Sequence, residues 1–299
     1  MVGDPLREEL RKLARALEPH GIRLIVGGGY GLLLRAEQIR SSKARTRFAE
    51  LPGARSTNDI DIFLGAEVIT DAAKTGLIRA ALDALGYEPI EGARYYQFVL
   101  PVTYAGLPRG VKIDLLAAPV SGDKEVTVKQ NSRRIKPRAG VGLHAHTTPE
   151  ALTVEDYAQP VDVGGDEPVV VYLPHPFSYL LLKLFALRDL LDNEAKGRGA
   201  YHAFDIYRTI AMMTSGEWEE AVQMRGQYAA TEPVAEAGRL VKELFSSLEA
   251  PGTMRLREHA RRVGEQIPSE NLRAMIDDLH ELLPVPREDV DTGNPSDNR

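Results

Sequence analysis

The stretch Asp59-Ile60-Asp61-Ile62-Phe63-Leu64 alternates acidic and apolar side chains with the period of a β-strand. One face of that strand therefore carries both isoleucines and packs into a core. The other carries two carboxylates, about 6–7 Å apart as alternate residues on one face. Like charges held side by side repel and are costly unless a cation lies between them, and Mg²⁺ is the cation best suited to such hard oxygen ligands. Further along, Val111-Lys112-Ile113-Asp114-Leu115-Leu116 reads as a second strand, with Asp114 on its polar face. If the two strands are neighbours, three carboxylates converge. Upstream, Ile22-Arg23-Leu24-Ile25-Val26 is a short β-rich run that ends in Gly27-Gly28-Gly29 and leads into the helix-like Tyr30-Gly31-Leu32-Leu33-Leu34-Arg35. Backbone without Cβ lets an anion approach, and a helix that starts there aims unpaired N–H groups at it, so strand, glycines and helix make a phosphate seat. Each feature has an ordinary alternative, a solvated edge face or a simple chain reversal. Their occurrence in this order favours a metal and phosphate site.

The rest of the chain is ordinary soluble-globular material. It has 299 residues, with 37 Lys and Arg against 43 Asp and Glu, 43% hydrophobic residues and no cysteine. Collagen, coiled coil and a disordered majority are excluded, as are disulfides, thiolate zinc sites and Cys nucleophiles. The absence of cysteine fits a reducing cytosol, and a cytoplasmic protein is the expectation. Tyr179 to Leu187 is the longest apolar run; it contains Lys183 and is too short to span a bilayer, so no membrane partner is expected. Asp4 and Pro5 open an amphipathic helix with Leu6, Leu10, Leu13 and Leu17 on one face. Residues 36–58 read as a basic loop or loose helix, 68–86 as a helix, and 125–173 as short β-like pieces. Beyond His175-Pro176 the pattern is helical to residue 283. The expected architecture is α+β: residues 1–173 form a small mixed sheet flanked by helices, 174–284 an all-helical domain, and 285–299 a disordered tail.

Val26-Gly27-Gly28-Gly29-Tyr30-Gly31-Leu32-Leu33-Leu34-Arg35 together with Arg55-Ser56-Thr57-Asn58-Asp59-Ile60-Asp61-Ile62-Phe63 resembles the nucleotidyltransferase superfamily of DNA polymerase beta type. Within it, Leu182-Lys183-Leu184-Phe185-Ala186-Leu187 and Phe204-Asp205-Ile206-Tyr207 are similar to helical motifs of the AbiEii/AbiGii toxin branch. The resemblance implies that Asp59, Asp61 and Asp114 hold two Mg²⁺ ions, with Asp114 also the base toward an acceptor hydroxyl. It implies a triphosphate-binding Lys183 oriented by Asp205, and nucleotide contacts from Gly28, Gly29, Tyr30, Arg55 and Thr57. The implied reaction transfers a nucleoside monophosphate from an NTP to an acceptor, an RNA such as a tRNA end, in a toxin with a cognate antitoxin. A small hydroxylated acceptor of the aminoglycoside kind, or a degenerate member that binds without turnover, are the alternatives; displacement of Asp114 from Asp59 and Asp61 would mark the last. Three departures stand out: Gly29 or Tyr30 replaces the family's Ser or Thr, an insertion occupies 36–54, and Tyr201-His202 replaces a basic-acidic pair.

Lys183 lies in an otherwise apolar helix and needs a partner, unless it snorkels at the rim. Asp205 is also spaced to pair with Arg208. Two basic clusters, Arg35, Arg40, Lys43, Arg45, Arg47 and Arg55, and then Lys129, Arg133, Arg134, Lys136 and Arg138, suit a polyanionic partner such as RNA. His144 and His146 share a strand face but lack a third ligand nearby, and read as structural.

Overall fold

In a computed structural model of the chain, residues 4–53, 57–104, 107–139, 142–165 and 167–285 are described. The tail expected from residue 285 falls outside them apart from its first residue. The first helix, α1 (Pro5–Leu17), forms as its sequence dictates: the Asp4 carboxylate accepts from the Leu6 N–H at 3.0 Å, and Leu6, Leu10, Leu13 and Leu17 are all buried. Strand β1 (Ile25–Val26) runs into α2 (Gly28–Ser42), then come β2 (Asp59–Phe63), α3 (Ala66–Ile69) and α4 (Ala72–Ala84). The helix expected over 68–86 is thus two pieces, because Asp71 caps a new start, accepting from Ala73 and Lys74. Strands β3 (Glu88–Pro89), β4 (Gln97–Tyr104) and β5 (Leu107–Ala117) follow, then β6 (Val128–Gln130), β7 (Arg134–Pro137), β8 (Ala145–Thr147), β9 (Gln159–Asp162) and β10 (Val170–Leu173).

These strands make one mixed sheet of ten, larger than the small sheet expected, because the short pieces between 125 and 173 pair onto it. The order is β6-β7-β8-β5-β2-β1-β10-β9, with the β3–β4 hairpin attached to β5. Strands β2 and β5 are parallel neighbours, and Asp61 lies directly opposite Asp114. Period-two burial follows: Ile60, Ile62, Ile113 and Leu115 point into a core shared with α1 and α4, which leaves the carboxylates on the other face.

From Pro176 the chain is helical: α5 (Pro176–Leu190), α6 (Ala200–Ala211), α7 (Ser215–Tyr228), α8 (Glu232–Leu244), α9 (Pro251–Arg262) and α10 (Ser269–Leu282). Their apolar faces form a second hydrophobic cluster, separate from that of the sheet. Phe48, far upstream in sequence, belongs to this second cluster.

Phe48 shows how the segment read as a basic loop or loose helix over 36–58 is built into the fold. Helix α2 continues to Ser42, and the chain after it is tied to the helical part by Arg47 N–H to Met213 O at 2.8 Å and by the Thr46–Thr214 bridge. Arg35 is fully buried and donates to both Glu217 oxygens at 2.7 Å, while Gln159 donates to Glu217 from β9 at 2.9 Å. Arg47 pairs with the buried Asp278 and stacks on Trp218. Two of the six cations assigned to the first basic cluster are therefore structural, and Arg55 lies outside the described residues. Breaking a buried pair leaves an uncompensated charge, so Arg35→Met should lower the unfolding free energy by about 3 kcal/mol in a denaturant titration. The same titration on Arg40→Ala, at an exposed position of the same helix, should move it by less than about 0.5 kcal/mol.

Candidate active site

The site assembles around Asp61. Strand β2 and the start of α2 meet where the Gly27 N–H donates to Asp61 O at 2.9 Å. Gly28 has φ +62°, and a Cβ there would fall 1.8 Å from Asp61 Oδ2, so only glycine lets the helix start press against this carboxylate. The sequence reading anticipated a glycine-lined helix N-terminus, and the structure puts it beside the acidic strand. Tyr30 behaves differently. Its ring is fully buried and its hydroxyl donates to Asp4 Oδ2 at 2.9 Å, because residue 30 lies on the side of α2 that faces α1. The nucleotide contact that the resemblance implied for Tyr30 is therefore corrected: its hydroxyl is held by Asp4, while Gly28 and Gly29 form the start of α2. Thr57 sits in the exposed approach to β2, its hydroxyl accepting from Asp59 N–H at 3.3 Å.

Helix α5 is fastened over the same turn. His175 caps it, accepting from Phe177 N–H at 3.1 Å. Tyr179 donates to Val26 O at 3.1 Å and stands against Gly31, where a Cβ would come within 2.1 Å of its oxygen. Lys183 is one helical turn beyond Tyr179 on the same face. It is buried and lies 2.9 Å from the fully buried Asp205 on α6, which Arg208 also approaches at 3.3 Å. Both partners weighed from the sequence are thus present: Asp205 joins Lys183 and Arg208.

Burial, then the neighbouring Asp114, pushes the Asp61 carboxyl up to about 6, against the opposing pull of Lys183. Asp114 is also raised, by burial, although Lys112 Nζ lies 2.9 Å from its Oδ2. Lys112 is a functional-site neighbour that the sequence reading passed over, as is Gln97, opposite Asp114 on β4. Alternation alone could have found Lys112, two residues before Asp114 and on the same face.

The donor set suits a divalent cation at two of its three carboxylates. Asp61 and Asp114 supply hard oxygens at one level of two adjoining strands, and Asp114 Oδ1 is buried with no hydrogen-bond partner. Those two residues fit Mg²⁺. The expected gathering of three is not seen: Asp59 is exposed and opposite Lys112, and among the described residues no group of three His, Asp or Glu side chains is arranged to hold a metal ion. Asp114 stays opposite Asp61, while Asp59 stands apart at the exposed start of β2, opposite Lys112.

No protein-family model matches this chain, and no curated protein matches it. Solved structures show a distant likeness. One of them is the antibiotic-resistance factor ANT(2'')-Ia, described as showing substrate-regulated conformation dynamics, with a TM-score of 0.31 and 10% identity over 91% of this chain and 89% of that one. Likeness at that level carries no argument, and the chemistry is read from the residues. No described helix is long and apolar enough to cross a membrane.

The raised Asp61 carboxyl has a thermodynamic consequence. The folded state holds that proton more tightly than the unfolded chain, so the stabilising preference is present below the ordinary carboxylate value and is lost as pH rises toward 6. Without divalent cations, Asp61→Asn should therefore be more stable than wild type by about 1–2 kcal/mol near pH 7.5, discounted for partial exposure. Thermal melts near pH 4 should show no such gain.

Proposed function

We propose that this protein is a nucleotidyltransferase that moves a nucleoside monophosphate from an NTP to an acceptor hydroxyl. The observation that carries the reading is the pair Asp61 and Asp114, opposed on adjacent parallel strands and set against the N-terminus of α2. A phosphate chain placed there meets three kinds of group. The amides at the start of α2 and the positive end of its dipole take phosphate oxygens. Lys183, held in place by Asp205, adds a buried positive charge near the carboxylates. Lys112 lies on the acceptor side, beside Asp114.

Asp61 and Asp114 would hold Mg²⁺, which when bound neutralises phosphate charge and stabilises the attacking and leaving oxygens. The chain's own part is positioning and proton handling. The acceptor oxygen forms a bond to the α-phosphorus, the bond to the β,γ-diphosphate breaks, and pyrophosphate leaves. The hydroxyl proton passes to the Asp114 carboxylate, whose raised affinity for a proton suits it as base. An RNA end is the proposed acceptor, supported by the exposed cations of β6 and β7. A toxin acting in the cytoplasm, held in check by an antitoxin, is the wider role that accords with the sequence resemblance.

Incubation with α-labelled NTPs, Mg²⁺ and total RNA should label a small RNA, and Asp61→Ala should abolish the labelling. Label that persists in Asp61→Ala would contradict the carboxylate mechanism.

A further inference from the structure

The carboxylate face of the sheet does not stop at Asp114. Across β5, Leu116 pairs with His146 on β8, and His146 pairs in turn with Arg134 on β7, so His146 and Arg134 share the face of Asp61 and Asp114. Beside this row, Gln97 opposes Asp114, and Tyr95 and Tyr96 precede it in the chain. Rings and guanidinium groups lie against one another here. Tyr95 lies on His144 with centroids 4.4 Å apart at 20°, and the Arg94 guanidinium lies 4.7 Å from the Tyr95 centroid. Arg134 lies 5.4 Å from the Tyr96 centroid, and His146 meets Tyr96 at 6.0 Å. His144 and His146, set aside as structural from the sequence, thus join the cations of the second basic cluster.

Among those cations, Arg138 is spent on the backbone, donating to Val126 O and Val128 O. Lys129, Arg133, Arg134 and Lys136 form no ion pair among the described residues, and the first three are exposed. Lys129 stands directly opposite Lys136, an arrangement of like charge that costs free energy unless an anion lies across it. No acid lies between residues 129 and 138. Cations along one edge with aromatic and guanidinium planes inside them is the composition that binds single-stranded nucleic acid, with phosphates on the rim and bases on the planes.

We infer that the β4–β8–β7 flank of the sheet is the acceptor platform: bases of a single-stranded RNA end stack on the Tyr95–His144 and Tyr96–Arg134 groups, with the terminal hydroxyl directed to Asp114. The inference rests on the nucleotidyltransferase reading and adds the surface and the strandedness of the acceptor. A duplex end would present its bases already stacked and is excluded as the preferred form.

The test uses the full chain and a fluorescein-labelled single-stranded RNA of about ten nucleotides, followed by anisotropy, alongside a fluorescent ATP analogue with Mg²⁺. Wild type should bind the single strand more tightly than a duplex of equal length. Tyr96→Ala should weaken RNA binding about tenfold or more, Tyr96→Phe should restore it, and neither should alter binding of the ATP analogue. Arg133→Glu combined with Lys129→Glu, both at exposed positions, should reduce the salt dependence of RNA binding. RNA binding unchanged in Tyr96→Ala, or RNA displaced equally well by polyglutamate, would overturn the platform. Wild type that binds the ATP analogue but no RNA overturns the platform and leaves the nucleotide reading standing; binding of neither overturns both.

Discussion

Two carboxylates of like charge sit opposite one another on adjoining strands, and most of what surrounds them offsets that cost. Parallel pairing of β2 with β5 puts Asp61 and Asp114 at one level. Burial strengthens their repulsion, since fewer water molecules screen it. Lys112 relieves Asp114, and Lys183 reaches toward Asp61 from a helix anchored by Tyr179 on Val26 O. Gly28 completes the arrangement, because any side chain there would occupy the space of the Asp61 carboxylate. The result is a strained anionic pair with cations on either side and a helix start above it. Such a pair is stabilised by a divalent cation and by the phosphates that accompany one.

A second set of ion pairs, each with at least one buried partner, holds the sheet and the helices together. Arg35 on α2 reaches Glu217 on α7, and Glu217 also closes the cap of its own helix with Thr214. Arg47 reaches Asp278. These pairs contribute little net stability beyond an apolar equivalent, but removing one partner is expensive. Their consequence is geometric: α2 is fixed at both ends, by the glycine turn at one and by the helical cluster at the other. Its N-terminus is therefore held against the carboxylates by contacts remote from them.

How far the sequence revealed this depends on the range of each interaction. Alternation in Asp59–Leu64 and Val111–Ala117 is local, so the two-faced strands and their carboxylates were legible. An ammonium at Lys183 amid leucines was legible as a residue in need of a partner. The glycine turn was readable as a helix start, but not which way Tyr30 would point, since that depends on α1 packing beneath it. Arg35 and Arg47 looked like members of a solvated basic cluster because their partners, Glu217 and Asp278, lie more than 180 residues away. The histidines at 144 and 146 showed only a shared strand face; that Tyr95 and Tyr96, in the turn leading into β4, lie against them was not legible. The strands between 125 and 173 are short and broken by Pro and Gly, and their membership of the sheet was fixed by pairing with β5 and β1 rather than by their own pattern.

The central claim is that Asp61 and Asp114 share a site whose negative charge a divalent cation relieves. Carbon-13 NMR of the Asp61 side-chain carboxyl across a pH titration measures it directly. The account predicts a midpoint near 6 in metal-free protein, and a shift to well below 6 when Mg²⁺ is added. A midpoint at the ordinary aspartate value in both conditions would contradict it.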